Sequence, residues 1–221
     1  VGHRKTAETS PEELAELMVG RKVLLEVDKA PAQPKDVAMS VRGLDFVDER
    51  GIQRLSNVNL DVCAGEILGI AGVSGNGQAY LLEMLSGMHR PTNGTITING
   101  QPLATTPDEV RSQSIGHVPE DRQHMGLVTA FAAWESGILG FQASALYSNR
   151  GAMKTRAIKE EVGQLMEKFD VRPPNPLLGT AKFSGGNQQK IVLAREIDKA
   201  PDVLLVGQPT RGVDIGAIEF I

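Results

Sequence analysis

The stretch Lys182-Phe-Ser-Gly-Gly-Asn-Gln-Gln-Lys190 places two consecutive glycines between a serine and a polar run. Serine is a preferred residue just before a helix, so Ser184 predicts a helix that begins at the glycines. Glycine lets the backbone approach a ligand closely, and the free N–H groups at a helix start favour an anion. The stretch therefore predicts an anion contact, although a plain capped turn explains these residues equally well.

The residues after this stretch favour the anion-contacting interpretation. Apolar residues from Ile191 to Ile197 continue an amphipathic helix. The short apolar run at 201–206 is typical of a buried strand. It is followed directly by Pro209-Thr-Arg-Gly-Val-Asp214.

A second glycine-rich stretch, Gly72-Val-Ser-Gly-Asn-Gly-Gln-Ala79, separates a predicted buried strand at 66–71 from a predicted helix. Strand, glycine loop and helix is the layout of a phosphate-binding loop. In the template Gly-x-x-x-x-Gly-Lys-Ser/Thr, Gly72 and Gly77 fit, but Gln78 replaces the lysine and Ala79 replaces the hydroxyl. The lysine supplies charge to the phosphates and the hydroxyl ligates Mg²⁺, so both contacts are missing.

Composition narrows the class of protein. The chain has 221 residues, of which 41% are hydrophobic, which suffices for one core and one domain with a possible subdomain. A net charge of −4 and 4% aromatic residues argue against nucleic acid as a partner. The single cysteine, Cys63, excludes an internal disulfide. No apolar run reaches the roughly 18 residues of a membrane span, and no signal peptide is visible.

The combination of motifs resembles an ATP-binding-cassette (ABC) ATPase. Ser184–Gln189 is similar to the signature sequence, Val203–Val206 to the Walker B strand and Arg211–Asp214 to the D-loop. The Gly-Asn-Gln-Gln and Pro-Thr-Arg-Gly-x-Asp forms resemble the double-cassette ATPases of simple sugar and nucleoside importers. The resemblance implies an α/β fold: a P-loop NTPase core with an antiparallel β layer and a helical subdomain.

The same resemblance implies a division of the chain. Residues 1–36, with a capped helix after Ser10 and a Pro- and Ala-rich stretch at 29–35, are expected to be the tail of an upstream cassette and a linker. Residues 37–221 are expected to be a C-terminally truncated ABC ATP-binding domain, whose last strands and histidine loop would lie beyond residue 221. Its helical subdomain is expected at about 121–183, where an apolar stripe predicts a helix over 152–169.

The resemblance also implies site residues for ATP and Mg²⁺. The nucleotide-binding candidates are Gly72, Ser74, Gly75, Asn76, Gly77, Gln78, Ala79, Ser184, Gly185, Gly186 and Gln188. Glu120 occupies the position that couples the nucleotide to the membrane domain, and Asp214 is the D-loop aspartate. Phe46 is the aromatic residue available to stack on adenine, but core packing is the preferred interpretation.

Five positions that serve hydrolysis in the family differ here: Gln78, Ala79, Glu120, Gly207 and Gln208. Gly207 offers no metal ligand and Gln208 is no general base, so no catalysis is expected at this chain's own site and Mg²⁺ is expected to be weak or absent there. Cassettes of this family pair head to tail, each nucleotide lying between one phosphate loop and the other signature. We therefore expect this signature to complete the partner cassette's site in trans.

The implied partners are the upstream cassette, the transmembrane permease subunits and, indirectly, a substrate-binding lipoprotein, at the cytoplasmic face of the plasma membrane. The loop 72–78 and the stretch 212–221 look most like nucleoside importers. Two alternatives remain within the family: a soluble non-transport ABC protein and a structural pseudo-cassette that binds no nucleotide. A dinucleotide-binding oxidoreductase also has a glycine loop after a strand, but it leaves the signature unexplained.

Overall fold

A computed structural model describes residues 3–20 and 29–221, so the predicted junction with the upstream cassette lies partly outside the described residues. The described residues contain seven α-helices. They are α1 (Pro11–Val19), α2 (Gln78–Leu85), α3 (Pro107–Ser112), α4 (Ala133–Ser136), α5 (Thr155–Lys168), α6 (Gly185–Ile197) and α7 (Ile215–Phe220). No helix in 3–20 or 29–221 has the length and apolar character needed to cross a membrane.

The strands form three small sheets. They are β1 (Val37–Val47), β2 (Gln53–Cys63), β3 (Asn93–Ile98), β4 (Gln101–Pro102), β5 (Ile115–Val118), β6 (Ser148–Asn149), β7 (Ala152–Met153) and β8 (Val203–Val206). The order β2-β1-β3-β4 makes an antiparallel sheet, β5 and β8 pair in parallel, and β6 and β7 form a short hairpin. The predicted antiparallel layer is therefore present.

Helix boundaries follow the sequence closely where a cap is encoded. Ser10 accepts a hydrogen bond from the backbone of Glu13 at the start of α1, and Gly20 ends the helix in the left-handed conformation at φ 79°. The predicted helix over 152–169 is α5, and four apolar side chains of its stripe are buried. They are Ile158, Val162, Leu165 and Met166.

Two hydrophobic cores meet at β5. The first packs the antiparallel sheet against α2, α3 and the start of β5, where Ile115 lies. The second gathers the apolar sides of α4, α5 and α6 around Val118 at the end of β5. The strand β5 thus contributes to both cores, Ile115 to the first and Val118 to the second.

The predicted buried strand at 66–71 is wrong. The segment has no regular secondary structure, and the side chain of Ile67 is 82% exposed. Residues 67–72 make no backbone hydrogen bond to another described main-chain group. An apolar run becomes a strand only when a neighbouring strand takes its hydrogen bonds, and β8, facing a cavity here, does not. β8 itself is buried on one face only, since Leu204 and Val206 are exposed.

A cluster of buried charges lies between the two cores. Glu196, at the end of α6, is fully buried and accepts hydrogen bonds from Arg195 at 2.8 Å and from Arg111 at 2.9 Å. It also accepts the backbone N–H of His117 in β5 at 3.1 Å. Arg195 in turn donates to the carbonyl oxygens of Gly126 and Ser136. One carboxylate therefore fixes α6 against β5, α3 and the helical subdomain.

The same surroundings shift two pKa values. Burial by itself would raise the pKa of Glu196, but the charges of Arg195 and Arg111 and the hydrogen bonds to the carboxylate outweigh it, so the pKa lies below its usual range. Burial lowers the pKa of His117 to about 4, aided by the two arginines and opposed by Glu196. His117 is thus neutral in the folded chain near pH 7.

Replacing Glu196 by alanine leaves two guanidinium groups without their shared carboxylate. We expect Glu196→Ala to lower the free energy of unfolding by about 3–5 kcal/mol, the usual effect of breaking a buried ion pair. The matched control is Glu160→Ala, which removes the acid of an exposed pair with Arg156 and costs less than about 1 kcal/mol. Denaturant unfolding measures both, and equal effects would contradict the assigned role of Glu196.

The lowered pKa of His117 predicts that the folded chain loses stability in acid. Because its folded pKa lies below the unfolded value of about 6.5, only the unfolded chain takes up this proton as the pH falls from 6.5 to 4. We expect the wild-type chain to lose about 3 kcal/mol more than His117→Leu between pH 7 and pH 4. His124→Gln, a substitution at an exposed histidine, is measured alongside as the control. Parallel pH profiles for wild type and His117→Leu would refute this assignment.

Candidate functional site

The glycine loop at 72–79 ends where α2 begins. Gly75 and Gly77 have φ angles of 91° and 99°, in the left-handed region that glycine adopts without strain. A Cβ on Gly77 would lie 2.6 Å from Leu55 Cδ2 and 2.7 Å from the carbonyl oxygen of Arg54 in β2. Gly77 is therefore required both by its conformation and by its close packing. Ser74 and Asn76 are exposed on the loop.

The side chain of Gln78 folds back into the loop. Its Nε2 donates to the carbonyl oxygen of Val73 at 3.3 Å. The same atom lies only 1.9 Å from where a Cβ would stand on Gly72, so the amide fills the space that this glycine leaves. The next residue, Ala79, is exposed and offers no ligand atom. The space inside the glycine loop is therefore filled by the side chain of Gln78.

A cavity of about 1200 Å³ brings together the predicted residues of the glycine loop, except Asn76, which does not line it. The glycine loop and the segment 65–71 line one side of it, and β8 with Gly207 and Gln208 lines the other. Glu120, at the exit of β5, also contributes to the lining. Within the described chain, the signature residues 184–188 do not line this cavity. The glycine loop and the signature therefore belong to two separate surfaces of one chain.

Gly207 is tightly enclosed. A Cβ there would lie 2.9 Å from the backbone nitrogen of Glu120 and 2.9 Å from Leu82 Cδ1. A side chain at this position would displace backbone, which is costly because the main chain has no alternative rotamer. The position that supplies a metal-binding aspartate in the resembled family is thus closed by packing, beyond the loss of the carboxylate itself.

The carboxylate of Glu120 is paired with side chains of the same chain. One of its oxygens accepts from Gln208 Nε2 at 2.9 Å and from Arg211 Nη1 at 2.7 Å. Gln208 holds this position with a φ of 41°, an uncommon angle for a residue other than glycine. Arg211 therefore reduces the repulsion that the Glu120 carboxylate would exert on a phosphate.

The residues of this half-site do not fit a bound Mg²⁺. Ala79 and Gly207 carry no ligand atoms, and Glu120 is already paired with a cation. Among the residues described, no group of three or more histidine, cysteine, aspartate or glutamate side chains has metal-binding geometry. We therefore assign no metal-dependent step to this chain's own loop.

The signature forms the start of α6 as predicted. Ser184 precedes the helix, and its hydroxyl oxygen accepts from the backbone and side-chain nitrogens of Asn187. The serine is exposed, and its own hydroxyl proton is available to donate. This helix start can bind an anion through Ser184 and the free N–H groups around it.

The two signature glycines pack against the D-loop of the same chain. A Cβ on Gly185 would lie 2.7 Å from the carbonyl oxygen of Gly212, and one on Gly186 would lie 2.9 Å from Ala217 Cβ. Gly186 is buried, so its expected contact with a ligand is covered within the single chain. Both glycines are thus required by internal packing, a role that the sequence alone did not reveal.

Two other predicted site residues have structural partners. Gln188 is 4% exposed, and its amide donates to the carbonyl oxygen of Thr180, so its side chain does not reach the surface of the signature. Asp214 caps α7 by accepting from the backbone of Ala217 at 2.9 Å. Its other oxygen lies 3.1 Å from the position of a Cβ on Gly186. Asp214 thus joins the D-loop to the signature.

Phe46 is not available for adenine. Its side chain is 7% exposed and packs against the Tyr80 ring with centroids 5.3 Å apart. The core-packing interpretation of this residue agrees with its position in the sheet.

Arg122 contacts this site although the sequence analysis did not select it. Its guanidinium donates to the carbonyl oxygens of Arg211 at 2.6 Å and Gly212 at 3.1 Å. The contact joins residues about ninety positions apart, so no local pattern indicates it.

Comparison with known proteins identifies the family. The sequence model of the family described as "ABC transporter" matches residues 55–211. The chain is 42% identical over 215 residues to the guanosine import ATP-binding protein NupO of Bacillus subtilis, covering 97% of this chain and 42% of that protein. It is 43% identical over 211 residues to the nucleoside import ATP-binding protein NupA of Lactococcus lactis, covering 95% and 42%.

A solved structure shows the same fold. The bacterial ABC transporter cassette MJ0796, solved as a dimer, aligns with a TM-score of 0.67 and 25% identity, over 83% of this chain and 79% of that one. The chain belongs to the ABC transporter family, and the predicted α/β P-loop fold with an antiparallel layer is confirmed. Proteins of this family bind ATP with Mg²⁺. The chain spans about two fifths of the length of the two curated relatives.

The occupied glycine loop leads to a binding prediction. We expect Gln78→Lys to bind ATP, in the absence of metal, at least about tenfold more tightly than wild type, because a charged donor to phosphate is stronger than a neutral one. The control is Gln101→Lys, which adds the same charge on the exposed strand β4. Calorimetric titration measures all three, and equal affinity for wild type and Gln78→Lys would disprove the role of the missing charge.

Proposed function

We propose that this chain is the second cassette of a double-cassette importer ATPase, and that its signature completes the ATP site of the first cassette. On its own it is expected to hydrolyse ATP far more slowly than an intact cassette. Its length relative to NupO and NupA, about two fifths, suits one of two cassettes in a longer polypeptide.

The observation that carries the proposal is the contrast between the two half-sites. In the glycine-loop cavity, Gln78 occupies the cradle, Gly207 is enclosed and Glu120 is paired internally. At the signature, Ser184 remains exposed at the start of a capped helix. Loss of several electrostatic contacts removes most of what phosphoryl transfer needs, since each such contact is worth roughly 3–4 kcal/mol in rate.

In the proposed arrangement, Ser184 donates its hydroxyl proton to the terminal phosphate of a nucleotide held by the partner cassette. The backbone at the start of α6 adds its free N–H groups and the positive end of the helix dipole. Asp214, which links the D-loop to the signature, sets the position of the D-loop across the interface. The dimeric MJ0796 cassette supports pairing of two such surfaces.

The proposed cargo is a nucleoside, with a simple sugar as the alternative, because NupO is a guanosine import protein and NupA is a nucleoside import protein. The partners are the first cassette, the permease subunits and, indirectly, a substrate-binding lipoprotein. The complex would lie at the cytoplasmic face of the plasma membrane. Cargo choice would be made by the permease and the binding protein, since no residue of this chain contacts the cargo in this arrangement.

A structural pseudo-cassette that binds no nucleotide of its own is the second candidate. The amide of Gln78 inside the loop favours it, because a phosphate would first have to displace this side chain. The two candidates share the trans role of the signature and differ in the glycine loop. The titration of wild type against Gln78→Lys separates them.

The test is the ATPase rate of the complete double-cassette importer with Ser184→Ala in this half. Losing a hydrogen bond to a charged group is expected to lower turnover by about 10- to 100-fold. The matched control is Ser10→Ala, which removes the equivalent serine cap at the start of α1. Gln78→Ala should leave turnover within about twofold, because this loop is not expected to drive hydrolysis.

Ser184 is a better target than Gly186, since a side chain at Gly186 would collide with Ala217 inside the same chain. The trans proposal would be abandoned if Ser184→Ala retained the turnover of Ser10→Ala. Collapse of activity with Gln78→Ala would instead place the working nucleotide in this chain's own loop.

A further inference from the structure

Two loops that leave neighbouring strands are joined by side-chain contacts. We call residues 119–126, after β5, the coupling loop, and residues 207–214, after β8, the D-loop segment. Glu120 of the coupling loop accepts from Gln208 and Arg211, and Arg122 donates to the carbonyl oxygens of Arg211 and Gly212. Both sets of contacts form within the chain.

The guanidinium of Arg122 contacts two elements outside the coupling loop. Its Nη2 lies 2.6 Å from where a Cβ would stand on Gly185, so the guanidinium packs directly against the signature. The same group holds the D-loop segment through two carbonyl oxygens. Arg122 therefore touches the D-loop segment and the signature while belonging to the coupling loop.

The backbone around Arg122 is itself fixed. Asp121 caps the turn that follows it, accepting from the backbone of Gln123 at 3.0 Å and His124 at 3.1 Å. The orientation of the guanidinium is thus fixed by the turn that Asp121 caps and by the two carbonyl oxygens that the guanidinium binds. A planar group with several donors in fixed directions suits this position, and lysine could satisfy only part of it.

We propose that Arg122 is a positioning residue that holds the D-loop segment beneath the signature, so that Ser184 and Asp214 reach the partner's nucleotide as one unit. The inference rests on the proposed function, because the nucleotide in question is the one held by the partner cassette. It goes beyond that function by naming the side chain that ties the coupling loop to both elements. Movement of the coupling loop would then displace signature and D-loop together.

The first measurement is hydrogen exchange of this chain, which does not depend on a partner. The backbone N–H groups of Arg211 and Val213 are bonded within the D-loop segment, to the carbonyl oxygens of Gln208 and Thr210. Arg122→Ala should speed their exchange at least about tenfold, since two charge-assisted bonds that hold the segment are lost. Arg122→Lys should restore part of the protection. Arg150→Ala, which removes an exposed arginine beside the β6–β7 hairpin, should change nothing.

Arg211→Ala separates the two sets of contacts. It breaks the ion pair with Glu120 but keeps the carbonyl oxygen that Arg122 binds. We expect a smaller effect on exchange at Val213 than with Arg122→Ala. An equal or larger effect would assign the anchoring to the ion pair and overturn the inference, as would unchanged exchange in Arg122→Ala.

The second measurement is ATP turnover by the double-cassette importer. Arg122→Ala should lower kcat at least about tenfold with KM within twofold, because positioning affects the reaction more than nucleotide binding to the partner's loop. Arg122→Lys should be intermediate. Normal kcat in Arg122→Ala, alongside lost activity in Ser184→Ala, would refute the positioning role alone. Normal kcat in both variants would refute the proposed function.

Discussion

A single buried carboxylate holds the site-bearing elements in one arrangement. Glu196 is removed from water and is stable there only because Arg195 and Arg111 share its charge and the backbone of β5 donates to it. α6 carries this carboxylate near one end and Ser184 at the other, while β5 leads directly into Glu120. The charge cluster therefore links the signature to the coupling loop: it lies at the opposite end of α6 from Ser184, and its Arg195 binds the carbonyl oxygen of Gly126 in the coupling loop. The geometry of the helix start depends on a charge cluster more than two turns away along the same helix.

The sequence predicted those features that are encoded by neighbouring residues. The start of α6 follows from a serine cap before two glycines, and α5 follows from an apolar stripe at helical spacing. The antiparallel layer follows from alternation, and the two half-sites follow from motif resemblance. The predicted strand at 66–71 failed because strand formation needs a partner for the backbone, which apolar character alone does not supply.

The contacts that give the site its character could not be predicted from local pattern. Arg122 reaches residues about ninety positions away, and the filling of the loop by Gln78 depends on a rotamer that no spacing encodes. The signature glycines illustrate the same limit. Their spacing suggested room for a ligand, whereas their Cβ positions are taken by the D-loop segment and α7. A motif identifies which residues matter, while packing decides what each one touches.

The enclosure of Gly207 has a consequence for the history of such a domain. The backbone nitrogen of Glu120 and the Cδ1 atom of Leu82 each lie 2.9 Å from where a Cβ would stand on Gly207. An aspartate side chain at position 207 would clash with these atoms. It would also restore no activity while Ala79 and Gln208 remain. Each intermediate on the way back to an active site would be less stable and no more active. Under the proposed function, catalysis at this half would therefore be difficult to regain one substitution at a time.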